Sequence, residues 1–223
     1  MIRTACMVLT FAAIAFAGAQ GKVISVDQND VLVSVEGAKS GMSAIILYEY
    51  KSDSTISARC ATIKAEKTTA TLKCSPFNLY DQSSAPTLTL PIRKGDKAIF
   101  TPLGSSAIVI APDLDRYVKA RRADLTYVHS DLFAHQLVTD DVAKPTIADF
   151  RRFCDRLLVG AVVFAFNDGD YTVDCQTFAI LEIAPYSAAA SKKSILPFFH
   201  RLGAIDNEIG DFDAYYKRLI KEF

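Results

Sequence analysis

The sequence predicts an α+β fold, in which a small β-barrel-like unit at the N-terminal end packs with a mixed β-sheet and helices. Three observations support this prediction. The front half contains short β-branched stretches separated by polar turns. The second half alternates strand-like and helix-like stretches. Half of the 223 residues are apolar, which is enough for one large domain or two small, closely packed ones.

The first residues have the pattern of a secretory signal peptide. Arg3 is followed by an apolar stretch over residues 5–16 and by small residues that end at Ala19. A membrane anchor is the alternative, but the stretch is shorter than the roughly 20 residues that a spanning helix needs. We therefore expect residues 1–19, including Cys6, to be cleaved off. The mature chain is then exported and has no transmembrane segment.

Residues 20–92 form the predicted β-rich N-terminal subdomain. Its strand candidates alternate apolar and polar residues, and they are residues 22–26, 31–35, 44–50, 56–65 and 69–74. Turn-forming residues separate the strands, as at Gln28-Asn29-Asp30. Short strands joined by such turns favour a small barrel or sandwich. A loop rich in Ser, Pro and Thr, residues 75–91, follows the last of these strands.

Residues 93–223 form the predicted α/β subdomain. It begins with a tight turn at Arg93-Lys94-Gly95-Asp96. Asp113 and Thr146 are candidate N-caps, and the helix candidates are residues 112–122, 130–138, 146–158 and 211–221. The strand candidates are residues 98–101, 107–111, 124–128, 159–166, 171–174 and 179–184. The dipeptide Asp168-Gly169 between two apolar stretches indicates a hairpin.

Four cysteines remain after removal of the signal peptide, and an exported chain is expected to oxidise them. Four thiols allow three pairings. We favour Cys60 with Cys74 and Cys154 with Cys175, because each pair lies within one supersecondary unit whose ends are expected to be close. The four cysteines are too far apart in sequence to resemble a zinc ribbon or finger. We therefore predict two disulfides and no metal site.

The overall charge and the motifs exclude several functional classes. Lysine and arginine together number 25, as do aspartate and glutamate. This balance does not favour a nucleic-acid partner. The sequence has no serine elbow, phosphate-binding loop, dinucleotide-binding glycine pattern or zinc-protease helix. We therefore predict no cofactor, no catalytic residues and a function other than catalysis.

Some polar residues still resemble parts of a catalytic or metal site. His129 and His135 flank Asp131, but a spacing of six does not place two side chains on one helix face. Asp113 and Asp115 follow a predicted strand, and residues 140–141 are both aspartate, but capping and turn formation explain these carboxylates. An enzymatic alternative predicts a deep pocket among Asp113, His129 and Asp131.

Three basic clusters lie on predicted helices. A cluster of this kind usually forms a solvated helix face. A partner that recognises exposed cationic side chains gives such a cluster a functional role. The clusters are Arg116, Lys119, Arg121 and Arg122, then Arg151, Arg152 and Arg156, and finally Lys217, Arg218 and Lys221.

Several short motifs, in this order and spacing, resemble the N-terminal domain family of bacterial plasminogen-binding protein PgbA. The resemblance covers most of the mature chain and is strongest from residue 93 to residue 223. The motifs are Arg93-Lys94-Gly95-Asp96, Ile108-Val109-Ile110-Ala111-Pro112, Ser130-Asp131-Leu132, Cys154 with Val159-Gly160, Cys175-x-x-Phe178-x-Ile180-Leu181, Pro197-Phe198-Phe199 and Ala214-Tyr215-Tyr216.

The resemblance implies a bacterial envelope or surface protein, located in the periplasm, the outer membrane or at the cell surface, that binds host plasminogen. Kringle modules of plasminogen bind lysine side chains, preferably beside a free carboxylate. The family's binding is attributed to a lysine-rich C-terminal region, whereas this sequence ends in Lys221-Glu222-Phe223. Lys221 beside Glu222, with Lys217 one turn earlier, is the candidate binding site. The alternative is a structural or assembly protein of the bacterial envelope that does not bind plasminogen.

Overall fold

The computed structural model describes residues 18–77, 90–187 and 194–220. Over these residues the chain forms a closed six-stranded antiparallel barrel, a mixed five-stranded sheet and four helices. The predicted α+β class, with its barrel and mixed sheet, is therefore confirmed. Nearly all of the predicted signal peptide lies outside the described residues, and so does Lys221.

The barrel consists of six strands whose inward side chains alternate with outward ones. Its interior combines small residues such as Ala44 and Ala98 with larger ones such as Leu72 and Phe100, all of them fully buried. The strands are β1 (Gln20–Asp27), β2 (Asp30–Ser34), β3 (Ser43–Tyr50), β4 (Asp53–Ala65), β5 (Thr69–Pro76) and β6 (Lys97–Phe100). Their order around the barrel is β1-β2-β5-β4-β3-β6.

The sixth strand closes the barrel from beyond the predicted division at residue 92. β6 pairs with β1 on one side and with β3 on the other. The chain reaches this position through the turn predicted at residues 93–96, in which the Asp96 carboxylate accepts a hydrogen bond from the Arg93 amide at 2.7 Å. Gly95 has φ +94° there, a conformation that favours glycine. The barrel therefore includes β6, which ends at Phe100.

The second sheet is mixed, with the order β11-β10-β9-β7-β8. β7 runs parallel to β8 and β9, whereas β9, β10 and β11 form an antiparallel meander. The central strand β9 is buried at every residue, which explains its continuous apolar sequence. The strands are β7 (Ser106–Ile110), β8 (Thr126–Val128), β9 (Ala161–Ala165), β10 (Gly169–Asp174) and β11 (Ile180–Pro185).

Helices cover both faces of this sheet. One face carries α1 (Leu114–Lys119), and the other packs against α2 (Ser130–Thr139), α3 (Ile147–Leu157) and α4 (Phe212–Lys217). Two predicted caps are present. Asp113 accepts a hydrogen bond from the Arg116 amide at 2.8 Å, and Thr146 forms a capping box with Asp149.

The last helix is shorter than the predicted range of residues 211–221. It ends at Lys217, and the amides of Arg218 and Leu219 then donate to the carbonyls of Tyr215 and Tyr216, three residues back. Such tighter bonds are common where an α-helix ends. Leu219 and Ile220 continue to pack against the hydrophobic core after the helix has ended.

The two disulfides lie one in each unit. Of the three possible pairings, the structure contains the favoured one. Cys60 and Cys74 are directly opposite each other on β4 and β5 of the barrel. Cys154 of α3 is bonded to Cys175, which follows β10, and both of these residues are fully buried. The second disulfide therefore attaches a covering helix to the sheet beneath it.

A buried carboxylate joins the barrel to the sheet. Asp174 is fully buried at the end of β10, and its Oδ2 accepts hydrogen bonds from the Ser43 amide at 2.9 Å and the Ser43 hydroxyl at 2.7 Å. Nearby, the Thr177 hydroxyl donates to the Gly41 carbonyl at 2.5 Å. Buried polar groups need such partners, so these bonds fix how the two units meet.

Candidate functional site

The order of the sheet creates a position where many α/β proteins bind ligands. β7 leads to β8 on one side and β9 lies on its other side, so the carboxyl ends of β7 and β9 form a topological switch point. Here the chain's own C-terminal segment covers the end of β7. The amides of Ile195 and Phe199 donate to the carbonyls of Pro112 and Ala111, at 2.8 and 2.7 Å.

Lys217, one of the two predicted binding residues, lies at this edge of the sheet. Its Nζ is 2.8 Å from Oδ2 of Asp168 and 3.9 Å from Oδ2 of Asp213. The same nitrogen is 5.1 Å from the ring centre of Phe166 and 5.9 Å from that of Tyr171. Phe166, Asp168, Tyr171 and Asp213 together form what we call the lysine cage, because they surround one ammonium group with carboxylates and aromatic faces.

Two local features of the sequence build the lysine cage. The connection between β9 and β10 carries Phe166 and Asp168, and β10 carries Tyr171. Asp213 precedes Lys217 by four residues on α4, which places both side chains on the same helix face. The Asn167 amide donates to Asp213 Oδ2 at 2.9 Å and thereby links the turn to the helix.

The charges in the lysine cage stabilise each other. The hydrogen bond from Lys217 lowers the pKa of Asp168 below its ordinary value, against the opposing effect of burial. Burial alone lowers the pKa of Lys217, but the hydrogen bond to Asp168 and the two carboxylate charges outweigh it and raise that pKa. Both groups are therefore ionised at neutral pH. The Lys217 side chain is still 38% exposed.

A second polar group lies close to the lysine cage. Arg116 of α1 is buried, and its guanidinium donates to the Asn167 side chain at 2.5 Å. Next to it, Tyr186 donates to Asp170 at 2.7 Å. Burial raises the pKa of Asp170 and that of Tyr186. The turn after β9 is therefore held by α1 on one side and by α4 on the other.

Of the residues that resemble a metal or catalytic site around α2, His129 and Asp131 have structural roles. The His129 ring accepts a hydrogen bond from the Asp131 amide at 3.1 Å and caps α2. Asp131 binds the Arg201 guanidinium at 2.7 Å. His135 lies on the exposed side of α2. Across the described ranges, no three His, Cys, Asp or Glu side chains are arranged to hold a metal ion.

The other carboxylate candidates also serve the fold or face solvent. Asp113 caps α1, while Asp115 is exposed. Asp140 accepts a hydrogen bond from the Arg152 guanidinium at 2.8 Å. Asp141 follows it with φ +54° in the turn after α2.

The three basic clusters are not uniform solvated faces. Arg116 is buried, and Arg151 donates to the Gln176 carbonyl at 2.5 Å. Lys119, Arg121 and Arg156 are exposed. The third cluster contributes Lys217 to the lysine cage. The sequence pattern therefore identified the basic residues correctly but did not separate those that face solvent from those that hold the fold together.

The local sequence does not show the partners of Lys217. It predicts Asp168 only as part of a hairpin turn, and the approach of Asp168 to α4 depends on how a distant helix packs against the sheet. The spacing of four between Asp213 and Lys217 is the one local signal that indicates part of the cage.

Comparisons with known proteins identify the family of the chain. The family described as "Plasminogen-binding protein pgbA N-terminal" matches residues 19–220. Two curated relatives, from Helicobacter pylori strains J99 and 26695, are both named "Plasminogen-binding protein PgbA". Each is 28% identical over 179 residues, which cover 75% of this chain and 39% of the relative. No solved structure matches the chain significantly.

The match thus spans about two fifths of the length of these relatives. Among the described residues, no helix is long and apolar enough to cross a membrane. The family match extends over both structural units and over all four cysteines of the two disulfides. The chain therefore belongs to the family of plasminogen-binding protein PgbA N-terminal domains.

Proposed function

We propose that this chain is part of an exported bacterial envelope or surface protein and that it binds plasminogen through lysine side chains, including Lys217 and Lys221. The observation that carries the proposal is the family match over residues 19–220, because the curated relatives are named for plasminogen binding. The two disulfides support export, since such bonds persist in oxidising compartments.

The chemistry of the lysine cage supports a role for Lys217. A kringle binds a lysine with carboxylates for the ammonium and aromatic rings for the methylene stem. In the lysine cage Asp168 likewise binds the ammonium of Lys217, and the ring centres of Phe166 and Tyr171 lie 5.1 and 5.9 Å from the same nitrogen. The Asp168 side chain is 53% exposed, and an ion pair at such a site contributes only about 0–1 kcal/mol. A kringle that offers equivalent contacts can therefore displace it at little cost.

The test is a binding measurement with immobilised plasminogen and the purified chain lacking residues 1–19. We expect binding that a free lysine analogue abolishes and that the double substitution of Lys217 and Lys221 by alanine weakens strongly. Lys73→Ala is the matched control, because it removes the same charge from a barrel lysine that is paired with Asp30 at 3.1 Å. Binding that is absent, insensitive to the analogue or unchanged in the double variant contradicts the proposal.

A second candidate function is a structural or assembly role in the bacterial envelope. It is favoured by the extent of the match, because about three fifths of each curated relative lies outside the matched part and can contain the plasminogen-binding residues. Capture of a periplasmic partner at fixed stoichiometry, together with no capture of purified plasminogen, would support this function. Lysine-dependent capture of plasminogen would support the first.

A further inference from the structure

The strand pairing that closes the barrel places two lysines side by side. Lys22 of β1 and Lys97 of β6 are direct partners in the antiparallel register. Directly opposed residues project from the same face of a sheet. In β6 the residues that face the barrel interior are Ala98 and Phe100, which are fully buried, and Lys97 alternates with them. The two lysines therefore share the outer face of the barrel.

The two lysines line a surface groove of about 460 Å³. We call it the paired-lysine groove, and its other polar side chains are those of Gln20, Ser34 and Glu49. Ser34 is the partner of Lys22 on the neighbouring strand β2. The groove is thus formed by strands of a closed barrel, which hold its charged groups at fixed spacing.

The charges in the groove are not balanced by the part of the chain that the structure describes. Neither Lys22 nor Lys97 forms an ion pair with any described carboxylate, and Glu49 forms none either, although it lines the same groove. Directly opposed like charges destabilise a sheet by up to about 1 kcal/mol. Elsewhere in this barrel the cross-strand partners Asp30 and Lys73 have opposite charges and lie 3.1 Å apart.

The donors and acceptors of the groove indicate the chemistry of its ligand. Two ammonium groups and the Gln20 amide supply donors, which match the oxygens of a doubly charged oxyanion. Glu49 supplies acceptors, which match hydroxyl groups. The volume is within the range of ligand sites for small organic molecules, about 300–1,000 Å³, and so exceeds what an isolated oxyanion needs.

We propose that the paired-lysine groove binds the phosphate group of a phosphate monoester whose remaining part carries hydroxyl groups, such as a sugar phosphate. Lys22 and Lys97 contact the phosphate oxygens, and Glu49 accepts hydrogen bonds from the hydroxyls. This site is separate from the lysine cage and does not depend on plasminogen binding.

The test measures binding of glucose 6-phosphate and of inorganic phosphate to the purified chain by calorimetry and by thermal unfolding, at constant ionic strength. We expect glucose 6-phosphate to bind and to raise the melting temperature. Lys22→Gln and Lys97→Gln should each weaken its affinity about tenfold, the effect of losing one charge-assisted contact. Lys73→Gln, which removes the same charge from the same barrel, should leave the affinity unchanged.

Stability without ligand gives a second, independent readout. Lys97→Gln removes the repulsion from Lys22, so the unliganded variant should melt about 1–3 °C higher than the unsubstituted chain. This result also shows that the variant folds.

The phosphate can belong to a soluble molecule or to a lipid headgroup. Vesicles of phosphatidylcholine with and without phosphatidic acid distinguish these sources. Binding of the sugar phosphate or of the phosphatidic acid vesicles supports the site if Lys22→Gln and Lys97→Gln each weaken it about tenfold and Lys73→Gln leaves it unchanged. No binding to any probe, or binding that the groove variants leave unchanged, overturns the proposal.

Discussion

Replacing Asp174 by asparagine tests whether one buried carboxylate holds the barrel on the sheet. Oδ2 of Asp174 accepts two hydrogen bonds from Ser43 of the barrel. Oδ1 accepts hydrogen bonds from the amides of Gln176 and Thr177, at 2.9 and 3.1 Å. All four groups are therefore donors to one fully buried side chain.

The cost of the substitution follows from this geometry. An asparagine nitrogen must take the place of one oxygen, and its N–H groups then face two donors. On the Ser43 side the hydroxyl can rotate to accept, but the Ser43 amide remains without an acceptor. Loss of one or two hydrogen bonds to a charged group, at about 1.5–3 kcal/mol each, gives an expected loss of about 1.5–6 kcal/mol in the free energy of unfolding. For a chain of this size that corresponds to a fall of about 3–24 °C in melting temperature.

The assay is urea denaturation of the purified chain with its disulfides intact, followed by circular dichroism. Asp140→Asn is the matched control, because its carboxylate is 30% exposed and pairs at 2.8 Å with Arg152, which is 56% exposed and belongs to the same unit. We expect the control to lose less than about 1 kcal/mol. If Asp174→Asn is no less stable than this control, the reasoning about the buried junction is wrong.

The remaining predictions concern three other places in the fold. Gly160→Ala should lower the free energy of unfolding, measured by urea denaturation, by at least about 2 kcal/mol, because a Cβ there would overlap the backbone of the loop after β6. The control Gly203→Ala, where a Cβ would meet open space, should be neutral or slightly stabilising. Burial lowers the pKa of His200 in the folded chain below its value in the unfolded chain, which is about 6.5. As the pH drops below about 6.5, the unfolded chain therefore binds more protons than the folded chain, and the free energy of unfolding should fall. His200→Leu should remove that part of the fall in a pH series. Asp168→Asn should weaken the hold on Lys217 and increase plasminogen affinity about two- to fivefold in the binding assay, if Lys217 contributes.

The sequence predicted the local elements well because their signals are local. Alternation of buried and exposed residues marks strands such as β2, in which Val31 and Val33 face the barrel interior. The capping box at Thr146 and Asp149 marks the start of α3. These patterns depend on neighbours only a few residues away.

Contacts between distant parts of the chain were not predictable in the same way. Nothing local distinguishes Asp174 from any polar residue at a strand end, because its partner Ser43 is 131 residues away. The membership of β6 in the barrel depends on pairing with β1, which precedes it by more than 70 residues. Lys217 likewise looked like an exposed helical lysine, and only the packing of α4 against the turn after β9 shows its partners.

The lysines illustrate what such packing implies for recognition. A kringle has to compete with any contact that a lysine already makes, so exposure of a side chain is not enough to rank it as a ligand. Lys217 is more than one third exposed but has two carboxylates and two aromatic rings around its ammonium. Lys22 and Lys97 have no such carboxylate partners among the described residues. If plasminogen capture depends on Lys217, it should therefore increase when the lysine cage is weakened. If it depends on Lys221 or other lysines outside the cage, Asp168→Asn should leave it unchanged.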